Sequence, residues 1–204
     1  MNKRKISIIL NSLIVILEII SLIMSVNLHN KLAIEYYTVD SNILALISSL
    51  IFTIYLLTKK NIPKWLKIFK YTTTICLTVT FIVVIFILAP MYNYNYIYFL
   101  FYKELLYQHF LCPILGIITF LFFDNFNKFT RKDNILGMNM TLTYGIIIII
   151  LNILDIVEGP YPFLMIKKQS ILASIIWIIV VLSIAYLIAY ILRISYNKLN
   201  KKTN

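Results

Sequence analysis

Six long apolar runs dominate this sequence. They cover, in chain order, residues about 6–28, 36–57, 67–90, 99–123, 136–155 and 170–192. Each run is close to the 20 or so residues that an α-helix needs to cross the roughly 30 Å hydrocarbon core of a bilayer. A membrane barrel would instead show many short alternating strands joined by tight turns, and the chain has only four glycines. The runs therefore predict an all-α polytopic membrane protein, with residues 1–204 forming one domain, a bundle of six transmembrane helices.

The basic charge of the chain fits the same interpretation. Hydrophobic residues make up 61% of the sequence, above the roughly half that is typical of soluble domains, yet the net charge is +11. Fifteen of the 19 lysines and arginines fall in segments that six spans would place on one side, namely residues 3–5, 59–70, 128–132 and 193–202. This asymmetry predicts that both termini are cytoplasmic. Because membrane orientation accounts for the charge, no nucleic-acid partner is expected.

A polar cluster opens the second run, where residues 35–42 read EYYTVDSN. One interpretation makes Thr38 the N-cap of a helix, with Asp40 near the positive end of the helix dipole. The other makes Thr38 a nucleophile, which requires a general base within hydrogen-bond reach. Asn42 follows one helical turn later, so it faces the same way and could donate a hydrogen bond to an oxyanion.

His109 is the candidate base, because it is the histidine that lies inside an apolar run. Its predicted depth is within about two helical turns of Thr38, and imidazole changes protonation near neutral pH. A purely structural histidine is the alternative. The other histidine, His29, is expected in a solvated loop. Cys112 lies three residues after His109, so it is either a small buried residue or the nucleophile of a cysteine–histidine pair.

Three further residues are candidates for supporting roles at the same outer level. Glu18 lies within the first run, where it either cross-links helices by a hydrogen bond or serves a site. Asp155 ends the fifth run and either orients the imidazole, as a third group does in hydrolytic triads, or has no task at the interface. Tyr161 belongs to the turn GPYPF at 159–163 and could cap the site. Neither a metal nor a cofactor is expected, because the sequence contains no zinc-ligand spacing and no glycine-rich phosphate loop.

Three short motifs resemble a family. YYTVDSN at 36–42 resembles the "Y-F-T-x-x-S-N" opening of the second span in a group of bacterial six-span membrane proteins. His109, Pro113 and Asp124 match that group's His-x-x-x-Pro stretch, which ends in Asp, and GPYPF at 159–163 approximates its Gly-x-Tyr-Pro-Tyr-Pro-Phe turn. The group is similar to the eukaryotic androgen-induced and androgen-dependent membrane proteins, which hydrolyse fatty-acid esters of hydroxy fatty acids with a membrane threonine and histidine.

The resemblance implies that Thr38 is the nucleophile and His109 its base. We therefore expect an intramembrane hydrolase that acts on a lipid (fatty acyl) ester from the outer-leaflet side, with membrane lipids around it. A related enzyme would transfer the acyl group instead. The alternatives are a non-enzymatic protein that binds or translocates a small solute or proton through an outward-facing polar pocket, or a structural membrane subunit. The sequence disfavours translocation, because the inner halves of the runs are nearly featureless, with Asp124 and Asp133 expected in solvated connections.

Overall fold

The structure of the chain, a computed structural model, describes residues 2–200, so the basic residues Lys201 and Lys202 lie outside the described residues. Six of its helices are long and apolar enough to cross a membrane. They are α1 (Lys3–His29), α2 (Tyr37–Leu57), α3 (Lys64–Met91), α5 (Leu106–Phe123), α6 (Arg131–Ile153) and α7 (Ile171–Leu199), and a short helix, α4 (Tyr96–Phe101), precedes α5. No β-strand occurs within residues 2–200. The prediction of an all-α polytopic membrane bundle is confirmed.

The first and last described residues lie at the same end of the bundle. The Arg4 guanidinium donates a hydrogen bond to the Leu56 carbonyl, and the Asn200 side-chain amide donates to the Leu121 carbonyl at 2.9 Å. We call this the terminal end, and it includes the connections 58–63 and 124–130. The opposite end, which we call the pocket end, is formed by the connections 30–36, 92–105 and 154–170.

Helix α1 turns a polar face toward the bundle. Its buried positions recur every three or four residues and are, apart from Ile14, polar: Ser7, Asn11, Glu18, Ser21 and Ser25. Its exposed positions are mostly apolar, which is the reverse of a helix in a soluble protein. This arrangement is stable in a membrane because lipid covers the apolar side, while the polar side chains find partners between the helices.

The fourth apolar run is not one continuous helix. The span was predicted to begin at residue 99, but the spanning helix begins at Leu106, and α4 is separated from it by residues 102–105. Lys103 within this break has a φ of 44°, a left-handed conformation that turns the chain sharply. Lys103 and Glu104 are adjacent charged residues, so the break keeps both out of a lipid-facing helix.

The helices α3 and α5 contain wide, π-helical turns next to proline. These turns cover Val84–Leu88 before Pro90 and Leu106–Leu111 before Pro113. Proline has no backbone N–H, so it cannot complete the regular α-helical ladder, and insertions of this kind often sit at functional sites. His109 lies within the second wide turn.

A buried polar network lies at the terminal end, where few polar groups were expected. The Lys70 ammonium donates to Asn11 Oδ1 at 2.8 Å and to Ser49 Oγ at 3.1 Å. Asn11 Nδ2 in turn donates to Asp124 Oδ1 at 3.0 Å, and Ser7 Oγ donates to the same oxygen at 2.6 Å. Asn11 therefore bridges a buried cation and a buried anion.

This network corrects two expectations. Asp124 is 1% exposed, because it directly follows the last turn of α5 and points into the bundle toward α1. Asp133 is buried as well: its carboxylate accepts the Thr130 N–H at 2.8 Å in a capping box and lies 3.5 Å from the Lys67 ammonium. Neither residue lies in a solvated connection, and the halves of the spans nearest the terminal end contain buried polar groups, whereas they were expected to be nearly featureless.

Candidate functional site

Thr38 lies one residue inside helix α2. The helix begins at Tyr37, and the capping position belongs to Tyr36, whose side chain makes no capping hydrogen bond. The interpretation of Thr38 as an N-cap is therefore wrong. Its side chain is buried and its hydroxyl points toward groups on two other segments, His109 on α5 and Tyr161 in the connection after α6.

His109 is held in one tautomer by the backbone. Its Nδ1 lies 2.7 Å from the Phe99 carbonyl oxygen, and its Nε2 lies 3.3 Å from Thr38 Oγ1. A carbonyl oxygen can only accept a hydrogen bond, so Nδ1 carries the proton and Nε2 presents its lone pair to the threonine hydroxyl. This is the arrangement a general base needs: one ring nitrogen anchored and the other free to take a proton.

The Phe99 carbonyl is free to accept the hydrogen bond from His109 because the chain breaks its helix after α4. Carbonyls in the last turn of a helix have no partner within the helix, and α4 ends at Phe101. The left-handed turn at Lys103 folds α4 back over the start of α5 and brings its last turn to the imidazole. The sequence did not predict the role of the Phe99 carbonyl, although the adjacent charges of Lys103 and Glu104 within an apolar run were a signal of the break.

Tyr161 lies inside the site, not over it as a cap. Its hydroxyl accepts the Thr38 backbone N–H at 3.2 Å and lies 3.3 Å from Thr38 Oγ1. Burial raises the pKa of Tyr161 to about 12, so the phenol stays protonated and can donate a hydrogen bond. Its ring stacks on Phe163 with 5.3 Å between the centroids.

The turn that carries Tyr161 depends on Gly159. This glycine has a φ of 102°, which side-chain-bearing residues rarely adopt. A Cβ at this position would lie 2.8 Å from the Leu164 carbonyl oxygen, which is too close for any other residue. The glycine therefore lets the connection close tightly enough to bring Tyr161 to Thr38.

Asn42 does not point at the reacting position. Its side-chain N–H groups donate to the Thr38 carbonyl at 2.7 Å and to the Gln108 carbonyl at 3.4 Å. Both amide donors are thus engaged, one within α2 and one between α2 and α5, so the expected role of Asn42 as an oxyanion donor is not supported. The donors that face Thr38 are the Tyr161 hydroxyl and the first backbone N–H groups of α2, of which that of Val39 has no partner among the described residues.

The structure does not bring the predicted acidic supporting residues to His109. Asp155 is exposed and pairs with Lys167 at the surface of the pocket end, so the group that orients the imidazole is the Phe99 carbonyl instead. Asp40 is only partly buried and lines neither of the cavities next to Thr38.

Cys112 is fully buried, and its polar neighbour is Glu18. Both ring nitrogens of His109 are already engaged, by Thr38 and by Phe99. The cysteine–histidine pair considered above is therefore not formed.

Glu18 is fully buried in the middle of the bundle, next to Cys112. Neither of its carboxyl oxygens has a nitrogen or oxygen hydrogen-bond partner among residues 2–200, and the thiol of Cys112, a weak donor, is the polar group beside it. A buried carboxyl with only a weak donor beside it costs several kcal/mol unless it is protonated or hydrated.

A cavity of about 800 Å³ adjoins the Thr38–His109 pair at the pocket end. Its wall includes Glu104 and Gln108, two buried residues that sequence analysis did not identify. His29 is half-exposed at the rim of this cavity, and its Nε2 lies 3.3 Å from Glu104 Oε1. It therefore has a protein partner, whereas it was expected to be solvated in a loop. Glu104 Oε2 and Gln108 Nε2 are almost completely enclosed and have no hydrogen-bond partner within the described chain, so each is an unsatisfied buried polar atom.

A second, smaller cavity of about 60 Å³ meets Thr38 from the side of α3, α6 and α7. Its lining is mostly apolar, with valines from α3 and Val181 from α7. Thr38 and Tyr161 line both cavities. The hydroxyl that faces His109 therefore stands at the junction between a polar space and an apolar one.

Comparisons with known proteins give no match for this chain, whether with family models, with curated proteins or with solved structures.

Proposed function

We propose that this integral membrane protein is an ester hydrolase in which Thr38 is the nucleophile and His109 the general base. The single observation that supports this most strongly is the chain of contacts from the Phe99 carbonyl through the imidazole to Thr38 Oγ1. A threonine hydroxyl is too weak an acid to attack an ester unaided, and a base oriented by a third group is what activates such a nucleophile.

The proposed reaction has two steps. Thr38 Oγ attacks the ester carbonyl carbon while His109 Nε2 takes the hydroxyl proton, and the imidazolium then gives this proton to the departing alcohol oxygen as the carbon–oxygen bond breaks. In the second step, water attacks the acyl-threonine, with His109 again taking the proton, and the acid leaves as Thr38 regains its hydrogen. The Tyr161 hydroxyl and the Val39 N–H would stabilise the negative charge on the carbonyl oxygen.

The distance of 3.3 Å between Thr38 Oγ1 and His109 Nε2 suits this role. Catalytic hydrogen bonds are often long without substrate and tighten in the reacting complex. We further propose that the pocket end faces outward in a bacterial plasma membrane, because the basic segments lie at the terminal end. The acyl ester would then reach Thr38 from the outer-leaflet side.

Covalent labelling with a fluorophosphonate tests the nucleophile. We expect the wild-type protein, purified in detergent, to be labelled on Thr38, because the base beside this hydroxyl makes it attack phosphorus and displace fluoride. Thr38→Ala should not be labelled, and peptide mass spectrometry should locate the wild-type adduct. On intact cells, a charged probe that does not cross membranes should give the same adduct if the pocket end faces outward.

Thr141→Ala is the matched control for this experiment. Thr141 is also a buried threonine at the wall of the small cavity, but its hydroxyl bonds to Tyr37 and not to an imidazole. The control should be labelled like the wild type. Labelling that persists in Thr38→Ala, or a folded wild-type protein that is not labelled, would contradict the assignment of Thr38.

A second candidate function, proton translocation, is favoured by the position of Glu18. Asn11 on α1 and Ser49 on α2 share the Lys70 ammonium, so they lie at one depth. Glu18 and Asn42 each lie seven residues, or two turns, nearer the pocket end on these antiparallel helices, so they share a second depth about 10 Å away. Buried polar groups therefore recur from the terminal end to the large cavity. This series of groups supports a path for protons, which the sequence did not predict.

Proton flux into proteoliposomes tests this second candidate. With an imposed pH gradient and a pH-sensitive dye inside the vesicles, the wild type should exceed protein-free vesicles, and Glu18→Gln should fall to their rate because the amide cannot take up a proton. Glu158→Gln is the control, since that carboxylate lies at the surface and pairs with Lys168. Flux equal to that of protein-free vesicles, or unaffected by Glu18→Gln, would exclude translocation.

A further inference from the structure

The backbone carbonyl of Gln108, the residue before His109, receives no donor from its own helix. In the wide turn of α5, the Cys112 N–H donates to the Tyr107 carbonyl, five residues earlier. The same spacing would pair the Gln108 carbonyl with the N–H of residue 113, but this residue is Pro113, which has no N–H. Gln108 is buried, and a buried carbonyl needs a donor, so the donor has to come from outside α5.

Asn42 of α2 supplies this donor. Its Nδ2 lies 3.4 Å from the Gln108 carbonyl oxygen and 2.7 Å from the Thr38 carbonyl oxygen. The second contact spans one turn of α2 and so holds the side chain against its own helix. A single amide group therefore joins the backbone of the proposed nucleophile to the backbone next to the proposed base.

Asn42 acts from behind the reacting groups. It is fully buried and lines neither of the two cavities at Thr38. Thr38, Gln108 and His109, in contrast, all line the large cavity. The amide of Asn42 can therefore influence a bound ester only through the two carbonyls that it joins.

We propose that Asn42 is a positioning residue, whose amide fixes α2 against α5 so that Thr38 Oγ1 meets His109 Nε2. This contact measures 3.3 Å, which is longer than most hydrogen bonds in proteins, so a small displacement of either helix breaks it. The Phe99 carbonyl sets the orientation of the imidazole, and Asn42 sets its distance from the hydroxyl. The effect on catalysis rests on the hydrolase function proposed above, whereas the effect on the contact does not.

NMR of protein labelled with ¹⁵N in histidine measures the contact directly. The chain has only two histidines, so His29→Asn assigns the signals of both. Thr38→Val removes the hydroxyl and gives the Nε2 resonance of an imidazole without this hydrogen bond. We expect Asn42→Leu, in which leucine keeps the branching of asparagine but has no donor, to move the Nε2 resonance most of the way to that value. The Nδ1 resonance should stay that of a protonated nitrogen.

Two further variants control this measurement. Asn42→Ala, which lacks the donor without the bulk of leucine, should move the Nε2 resonance in the same direction. Asn134→Leu replaces a buried asparagine of the terminal end, whose Oδ1 accepts from Tyr71 Oη at 3.0 Å, and should lose stability but keep the wild-type resonance. A wild-type Nε2 resonance in Asn42→Leu, or one that Asn134→Leu moves equally, would overturn the proposal, as would equal resonances in Thr38→Val and the wild type.

Kinetics of p-nitrophenyl butyrate hydrolysis test the effect on the reaction. We expect Asn42→Leu to lower kcat by about 10–100-fold, because a misplacement of about 1 Å at a reacting group can cost that much. KM should change by less than about twofold, since the side chain does not reach the substrate space. A raised KM with unchanged kcat would instead mean that Asn42 shapes the binding space, and the positioning role would be wrong.

Pro113→Ala separates the link between the helices from the mere pairing of a carbonyl. Alanine brings an N–H that can reach the Gln108 carbonyl from within α5, so it replaces the donor but not the link to α2. Measured against Pro113→Ala alone, adding Asn42→Leu should cost less stability than it does in the wild type, yet lower kcat by the same factor. If the fall in kcat disappears in this background, Asn42 only completes α5 and the proposal is wrong.

The outcomes separate this proposal from the hydrolase. If the wild type cleaves the ester in a Thr38-dependent manner, but Asn42→Leu keeps both its kcat and its Nε2 resonance, the positioning role is wrong and the hydrolase stands. If the wild type cleaves no ester, the hydrolase proposal fails, and the Nε2 resonance alone decides whether Asn42 holds Thr38 against His109. If the resonance moves while kcat does not, the contact does not serve catalysis.

Discussion

Replacing His109 by asparagine is expected to lower the rate of ester hydrolysis by about 10²–10⁴-fold, the usual contribution of a general base. The asparagine Nδ2 can take over the hydrogen bond that His109 Nδ1 gives to the Phe99 carbonyl, so the local fold should persist. What disappears is the nitrogen that accepts the Thr38 proton. The measurement is kcat/KM for p-nitrophenyl butyrate in detergent, together with the helical circular dichroism of each variant.

The second histidine provides the control. His29→Asn alters the rim of the large cavity, where His29 meets Glu104, but it leaves the contact between Thr38 and His109 intact. Its effect on p-nitrophenyl butyrate hydrolysis should be much smaller than that of His109→Asn. Free imidazole added to His109→Asn should restore part of the rate. A His109→Asn protein that hydrolyses the ester as fast as the wild type would show that the imidazole is structural.

The largest expected effect on stability is that of Lys70→Met, which should lower the free energy of unfolding by about 3–5 kcal/mol. Methionine fills similar space but leaves Asp124 as a buried anion without its cation, linked only to Asn11 and Ser7. Removing one member of a buried charged network costs far more than the network contributes as a whole, because the remaining charge stays desolvated. Denaturant unfolding in detergent, followed by circular dichroism, measures the change.

Two further variants make this prediction specific. The double variant Lys70→Met/Asp124→Asn removes both charges, so it should regain much of the stability lost by Lys70→Met alone. Lys64→Met lies six residues earlier on α3 at an exposed position and should change stability by no more than about 0.5 kcal/mol. If Lys70→Met and Lys64→Met behave alike, or the double variant is the least stable, the buried network does not operate as described.

Sequence patterns predicted the helical class because the membrane allows so few alternatives. Backbone groups in hydrocarbon must be paired within the segment, so an apolar run of about 20 residues has little choice but to form a helix. The ends of the runs were less certain, as the fourth run shows. Residues 96–105 are apolar enough to read as part of a span, and only the adjacent charges of Lys103 and Glu104 signal the break after α4.

The side chains at the site also divide into those that the sequence predicted and those that it did not. The membrane depth predicted from the sequence, together with residue type, identified Thr38 and His109 as a pair. In the structure, Thr38 Oγ1 lies 3.3 Å from His109 Nε2. The partners of that pair were missed or misplaced: the Phe99 carbonyl replaces Asp155, and Tyr161 lies beside Thr38 rather than above the site. Backbone groups carry no residue-type signal, so no pattern in the sequence could have identified the Phe99 carbonyl.

The sequence by itself determined that this chain spans a membrane six times as helices, because hydropathy and length decide that question locally. It also supplied the residue types from which a nucleophile and a base could be chosen. Only the tertiary structure decided which groups meet: the Asn11 bridge between Lys70 and Asp124, the orientation of His109, and the two unequal cavities at Thr38. These features depend on how the helices pack and on where one helix breaks, and both are set by contacts between residues far apart in the chain.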